Sequence, residues 1–239
     1  MIVGIMQPYF LPYIGYWQLM NYVDVFVIYD EIKYVKGSWI NRNRILRGNS
    51  PEYMSLPLKK DSDYLNINQR FLADDWLSTR KKLLNNINIA YHSSPYFKSI
   101  FPLLEEAIAK DERSLFRALE NSLRLVRDFL NITTPLVISS SLELDKSLNG
   151  ADMVVNICEV LGGDTYLNPI GGRALYQNKL FMKSGIELGF LQSRLTPYFQ
   201  NSTNFIHSLS IVDIMMNNSI DTLMKILHSD YDVLAATEI

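Results

Sequence analysis

Three features of the sequence predict an α/β fold built on a Rossmann-like parallel sheet flanked by helices. Apolar runs of strand length recur along the chain, and amphipathic helical stretches separate them. The first thirty residues also hold a complete strand, loop, helix and strand. Such a βαβ unit favours a parallel sheet, because the crossover helix packs back onto the sheet between its two strands.

Residues 2–6 (IVGIM) form a continuous apolar run that reads as a buried strand. A turn-rich loop over residues 7–12 follows, and residues 13–22 carry aromatic and apolar side chains at helical spacing. Residues 25–29 (VFVIY) are β-branched and aromatic, a second buried strand that ends at Asp30. Residues 31–70 alternate polar with aromatic or aliphatic residues, which predicts a small antiparallel β insertion. Residues 74–130 read as a helical block. Asp74 stands where its first helix needs a cap, and Pro95 and Pro102 punctuate the second. In the third, Leu115, Leu119, Leu123, Val126 and Leu130 make one apolar stripe. The arginines of that helix read as a solvated face with an i,i+4 pair between Glu120 and Arg124. After Pro135 the alternation resumes, with a strand at 136–138, the serines 139–141, and a helix at 150–161 closed by Gly162 and Gly163. A strand at 164–168, a helix at 173–183, a strand at 186–191 and helices at 208–216 and 220–227 complete the reading. No repeat or low-complexity linker interrupts it, so the expectation is one α/β domain over residues 1–239.

Composition narrows the class of protein. Apolar residues make up 48% of the 239 and charged residues 20%, which excludes a largely disordered chain. The one cysteine, Cys158, permits no internal disulfide and fits a reducing, cytoplasmic setting. No stretch has the length or apolarity of a spanning helix, and no positively charged leader precedes residues 2–6, so no membrane partner is expected. A net charge of −2 gives none of the basic excess that a DNA-binding protein uses against phosphates. Charge is nevertheless uneven: residues 33–47 hold two lysines and three arginines and no acid. That segment is a candidate local anion site.

In a parallel α/β sheet, ligands sit at the carboxyl ends of the strands. Four segments should therefore converge: 7–16, 30–43, 139–141 and 168–173. In the first, Gln7, Tyr9, Tyr13 and Tyr16 offer polar atoms on a proline-braced loop, and Gly15 permits close approach. The competing reading is a turn whose tyrosines simply pack under the sheet. In the second, Arg42 and Arg44 share one face of a strand while Asn41 and Asn43 share the other, with Lys36 nearby. Two guanidinium groups on one face can hold a diphosphate or carboxylate; otherwise they line a solvated ribbon. Ser139 and Ser140 could place hydroxyls and amides around a phosphate, and Asp30 and Asp213 are the acids to watch. His92, His207 and His228 lie far apart in the chain and read as surface or capping residues, and no Walker or G-x-S-x-G sequence occurs. No metal site is expected.

Taken together, MQPYFLPYIGYWQLM at the start, the run from Asp30 through WINRNRI to Ile45, the serine-rich strand end and the LSIVD sequence ending at Asp213 resemble the WbqC-like protein family of bacteria. Lys33 stands where that family favours glutamine, and Asn217 and Asn218 stand where glycine is commoner. The resemblance implies a role in building O-antigen or other surface polysaccharides, with aminoacyl transfer to an amino sugar as the suggested chemistry. Tyr13-Ile-Gly-Tyr16 also looks like the H-x-G-H loop of nucleotidylyltransferases with both histidines replaced by tyrosine. The fold implied is thus nucleotidylyltransferase-like.

Three functions follow. The first is a transferase that installs a glycyl-type group on the amine of a nucleotide-linked amino sugar. Asp30 is then the base, with Tyr13 and Tyr16 as catalytic partners and Arg42 and Arg44 on the diphosphate. An acyl or aminoacyl donor, aminoacyl-tRNA among the choices, is its second partner. An enzyme that activates a small acid with a nucleoside triphosphate is the second, and would use magnesium. A non-catalytic binding or scaffold protein of a polysaccharide assembly complex is the third. Oligomeric state is left open by the sequence.

Overall fold

Val3 and Ile5 point to one side of strand β1 (Ile2–Met6) and Ile2 and Met6 to the other, so the strand carries apolar side chains on both faces. That is the pattern of a sheet covered on both sides. The computed structural model describes residues 1–236 and places β1 near the middle of a six-stranded sheet. Helix α1 (Ile14–Tyr22) crosses from β1 to β2 (Val25–Ile28), which pairs with β1 in parallel. Strand β3 (Arg42–Arg47) and strand β4 (Ser50–Ser55) form a separate antiparallel hairpin. Helices α2 (Trp76–Tyr91), α3 (Phe97–Ala107) and α4 (Leu115–Phe129) follow, then β5 (Leu136–Ile138), α5 (Gly150–Leu161), β6 (Thr165–Pro169), α6 (Asn178–Lys183) and β7 (Glu187–Ser193). Helices α7 (Ile211–Asn217) and α8 (Ile220–Ser229) precede a last strand, β8 (Tyr231–Ala235).

The strand order is β5-β2-β1-β6-β7-β8, parallel throughout except for β8 on the edge. From β1 the chain builds outward through β2 to β5, then crosses back to lay β6 against the other side of β1. The direction of winding reverses between β1 and β6, and a crevice opens at such a switch point.

Two apolar clusters sandwich the sheet. One joins α1, the block α2–α4 and the pair α7–α8; the other joins α5 and α6 to Val3, Ile5 and Val27. Residues 14–20 of α1 are all buried, Trp17 donates its indole N–H to the Pro12 carbonyl (3.0 Å), and the Gln18 amide reaches the Ile226 carbonyl of α8 (2.9 Å). The stripe Leu115, Leu119, Leu123 and Val126 of α4 is buried, and Glu120 and Arg124 pair at 2.8 Å on its flank. Gly162, at φ +73°, ends α5 in the left-handed conformation that glycine adopts without strain.

Five details depart from the sequence reading, the first being the edge strand β8, which it did not contain. Within 31–70 only β3–β4 forms a hairpin; the remainder is irregular chain stitched by single bridges between Lys33 and Asn66 and between Leu58 and Leu72. Asp75, rather than Asp74, precedes α2. The helix expected at 173–183 divides into a 3-10 turn (Ile170–Leu175) and α6. Ser208 (φ +57°) lies outside α7, which starts at Ile211 behind the capping hydroxyl of Ser210. Among the described residues, no helix is long and apolar enough to cross a membrane.

Candidate functional site

A cleft of about 980 Å³ opens at the switch point, a size suited to a nucleotide-scale ligand. Met6, Gln7, Tyr9 and Tyr13, from the end of β1 and the loop behind it, form one wall. Asn168 and Pro169, at the end of β6, and Gly171, Gly172 and Tyr176 beyond it form the other. Tyr29, Glu31 and Lys33 come from the end of β2, and Trp39 stands at the rim. Lys146, Asn149, Gly150 and Ala151 also line the cleft, so the first turn of α5, where a helix leaves backbone N–H groups without intrahelical partners, borders it.

Glu31 and Lys146 form an ion pair at 2.5 Å with the glutamate side chain 29% exposed, so its carboxylate is accessible from the cleft. The phenols of Tyr9, Tyr13, Tyr29 and Tyr176 are all pushed above their ordinary pKa, by burial first in each case. They are therefore neutral hydrogen-bonding groups at physiological pH. Behind them the Tyr166 hydroxyl stands 3.1 Å from Asn168 Oδ1 and 3.0 Å from the Tyr176 hydroxyl, fixing both side chains. Gly172 passes so close to Asn168 that a Cβ there would fall 2.1 Å from its amide nitrogen. Among the described residues, no three His, Cys, Asp or Glu side chains stand together as a metal cage.

Of the residues singled out in the sequence, Gln7, Tyr9 and Tyr13 line this cleft. Tyr16 does not reach it: the ring is wholly buried against Trp17 and Phe26, and its hydroxyl donates to the Gln7 carbonyl (3.1 Å). Gly15 serves Tyr13 and touches no ligand space, since a Cβ would lie 2.5 Å from the Tyr13 ring. Asp30 is 1% exposed and saturated: Oδ1 accepts from the Ser139 hydroxyl (2.8 Å) and the Ser140 amide (3.0 Å), and Oδ2 accepts from the Asn68 amide (2.9 Å). Ser139 and Ser140 are thus Asp30's partners, tying β5 and the insertion to the end of β2. Ser140, Ser141 and Asp30 border a second, more polar groove of about 750 Å³ that shares Glu31 and Asn66 with the cleft.

Asn43 is buried and donates to the Phe10 and Leu11 carbonyls (3.0 and 2.9 Å), which pins the first loop to the hairpin. Asn41 accepts from the Tyr34 hydroxyl (2.8 Å) and donates to the Leu56 carbonyl (2.8 Å). Arg42 and Arg44 do share one strand face, outside the cleft lining, beside Trp39. Lys36 lies in the exposed turn before them. Asp213 sits apart, fully buried in α7, where it accepts from the Tyr91 hydroxyl (2.9 Å). Cys158 is core, its thiol pushed up to about 12 by burial.

Among the cleft residues, Tyr29, Lys146 and Tyr176 lie outside the four segments expected to converge, while Glu31 and Asn168 lie inside two of them without having been given a role. Glu31 and Tyr29 flank a strand end and could have been found by position; Lys146 carries no local signal.

The sequence profile of the WbqC-like protein family matches residues 7–225. The uncharacterized protein Rv1507c of Mycobacterium tuberculosis is 26% identical over 219 residues, covering 90% of this chain and 93% of its own. No solved structure matches the chain.

Proposed function

The chain belongs to the WbqC-like protein family, and on that premise we propose that it is a transferase of bacterial surface-polysaccharide synthesis that acylates the amino group of a nucleotide-linked amino sugar, with a glycyl-type group as the one transferred. The observation that carries the reading is the tyrosine-lined cleft at the switch point, with an accessible carboxylate, Glu31, at its edge.

The nucleoside lies against the tyrosine walls, and the diphosphate faces the first turn of α5 and Lys33, where amide N–H groups and an ammonium favour negative charge. The sugar amine then comes to Glu31. Its nitrogen attacks the acyl carbon of the donor and a C–N bond forms. The bond from that carbon to the donor's leaving atom breaks, and the leaving group departs with the electron pair. Glu31 takes the proton that the amine sheds and returns it to the leaving group, so charge and atoms balance. Lys146 holds the Glu31 carboxylate in place. This role falls to Glu31 rather than Asp30, whose oxygens are occupied by Ser139, Ser140 and Asn68. Direct transfer is favoured over a thioester on the enzyme, because the Cys158 thiol is buried and protonated.

A second reading, activation of a small acid by a nucleoside triphosphate with magnesium, is favoured by the strand order and by Tyr13 at the cleft wall, where the H-x-G-H loop would present its first histidine. It counts less, since Tyr16 is sealed in the core and neither position is cationic.

The test is Glu31→Gln, assayed for acyl transfer to UDP-linked amino sugars. We expect kcat to fall about 100-fold or more, the scale of general-base catalysis, with nucleotide-sugar affinity within a factor of about three. Unchanged kcat, or a binding defect alone, would overturn the assignment.

A further inference from the structure

We infer that the outer face of the β3–β4 hairpin is a second nucleotide site, which holds the nucleotide handle of a small acyl thioester donor. The assignment rests on the transfer reading above, since a transferase needs a second substrate and the cleft accounts for the first.

The face is an aromatic shelf carrying two cations. Trp39 and Tyr53 lie 6.3 Å apart with ring planes 24° from parallel, and they are 39% and 54% exposed. Over them sit two guanidinium groups. The Arg42 carbon is 4.7 Å from the Tyr53 ring and 5.9 Å from the Trp39 ring, and that of Arg44 is 5.6 Å from the Trp39 ring. Neither arginine has a carboxylate partner among the described residues. Arg42 donates to the Gly37 carbonyl, and Arg44 to the His207 and Ser208 carbonyls at 3.3 and 3.4 Å. Those contacts aim the guanidinium groups without neutralising them.

A flat, solvent-facing aromatic pair stacks a base, and two uncompensated guanidinium groups bind phosphate oxygens by paired N–H donors. A net charge of −2 provides no wider basic field for a long nucleic acid, so the occupant is a single nucleotide-linked molecule. Trp39 also lines the cleft that Glu31 borders, so the shelf and the cleft share a residue.

Tryptophan fluorescence reads the shelf selectively, because Trp17 and Trp76 are completely buried and Trp39 is the third of three. The full-length protein is titrated with acetyl coenzyme A and with adenosine 3′,5′-bisphosphate. We expect saturable quenching by both, abolished in Trp39→Phe and weakened about tenfold in the double variant Arg42→Ala/Arg44→Ala. The thermal shift given by UDP-glucosamine should persist in that double variant, which shows that it folds. Absence of quenching by either probe overturns the proposal, as does quenching that the double variant leaves unchanged. Tighter binding of a short RNA ending in CCA than of either probe also overturns it, and makes the shelf an RNA site. If UDP-glucosamine fails to bind the wild type while both probes still quench, the transfer reading falls and the shelf stands.

Discussion

The Asp30 carboxylate accepts three hydrogen bonds and is closed to solvent, whereas Glu31, the next residue, makes one ion pair and faces the cleft. Adjacent acids thus divide into a buried strap and an accessible carboxylate, according to the partners that reach each one. Asp213 is a third case. Burial pushes its carboxyl up to about 6, against the lowering effect of hydrogen bonds from Tyr91, Tyr198 and Gln200. An unfolded aspartate titrates near 3.9. The fold therefore favours the protonated acid. The stability this group contributes is complete below about pH 4, declines as pH rises towards 6, and is constant beyond. Two pKa units correspond to about 3 kcal/mol. Asp213→Asn removes the titration, so its stability relative to wild type should rise by about 2–3 kcal/mol between pH 4 and pH 7 in chemical denaturation. A difference independent of pH would contradict this.

At the scale of elements, the first loop and α1 work as one piece. Gly15 lies in the first turn of α1 and leaves the space that the Tyr13 ring occupies at the cleft wall. Gly15→Ala would put a methyl 2.5 Å from that ring, so the ring must shift from its place at the cleft wall while the helix, which alanine favours, persists. We expect nucleotide-sugar affinity to fall roughly tenfold, about 1.4 kcal/mol, with far-ultraviolet circular dichroism unchanged. Undiminished affinity would remove Tyr13 from the site. Elements buried on both faces were readable because burial writes a continuous apolar run, as in IVGIM and VFVI. The edge strand β8 was not, because Asp232 breaks its short apolar run and only one neighbour, β7, defines it. The 173–183 segment misled for another reason. Its side chains repeat at helical spacing, but Gly171 and Gly172 begin a 3-10 turn that brings Tyr176 to the cleft.

For the whole molecule, the site depends on strand order. Nothing local in residues 164–176 says that β6 lies against β1, yet that neighbour relation brings Asn168 and Tyr176 opposite Gln7 and Tyr9. The convergence of strand ends, segment 168–173 included, was legible from the α/β pattern; Tyr176 and Lys146, which lie outside the expected segments, were not. Tyr13 and Tyr16, three residues apart in one motif, also part company: Tyr13 precedes α1 and lines the cleft, whereas Tyr16 lies within the helix and is sealed in the core. The central claim is that the switch-point cleft holds the nucleotide sugar. Gly171 offers the sharpest probe, because it lines the cleft and a Cβ there meets nothing within 4 Å. The measurement is calorimetric titration of UDP-glucosamine into wild type and Gly171→Trp, with thermal unfolding of both as control. Binding to the wild type that is lost in a variant of equal melting temperature is the predicted result. Equal affinity in the two proteins would place the ligand elsewhere and contradict the account.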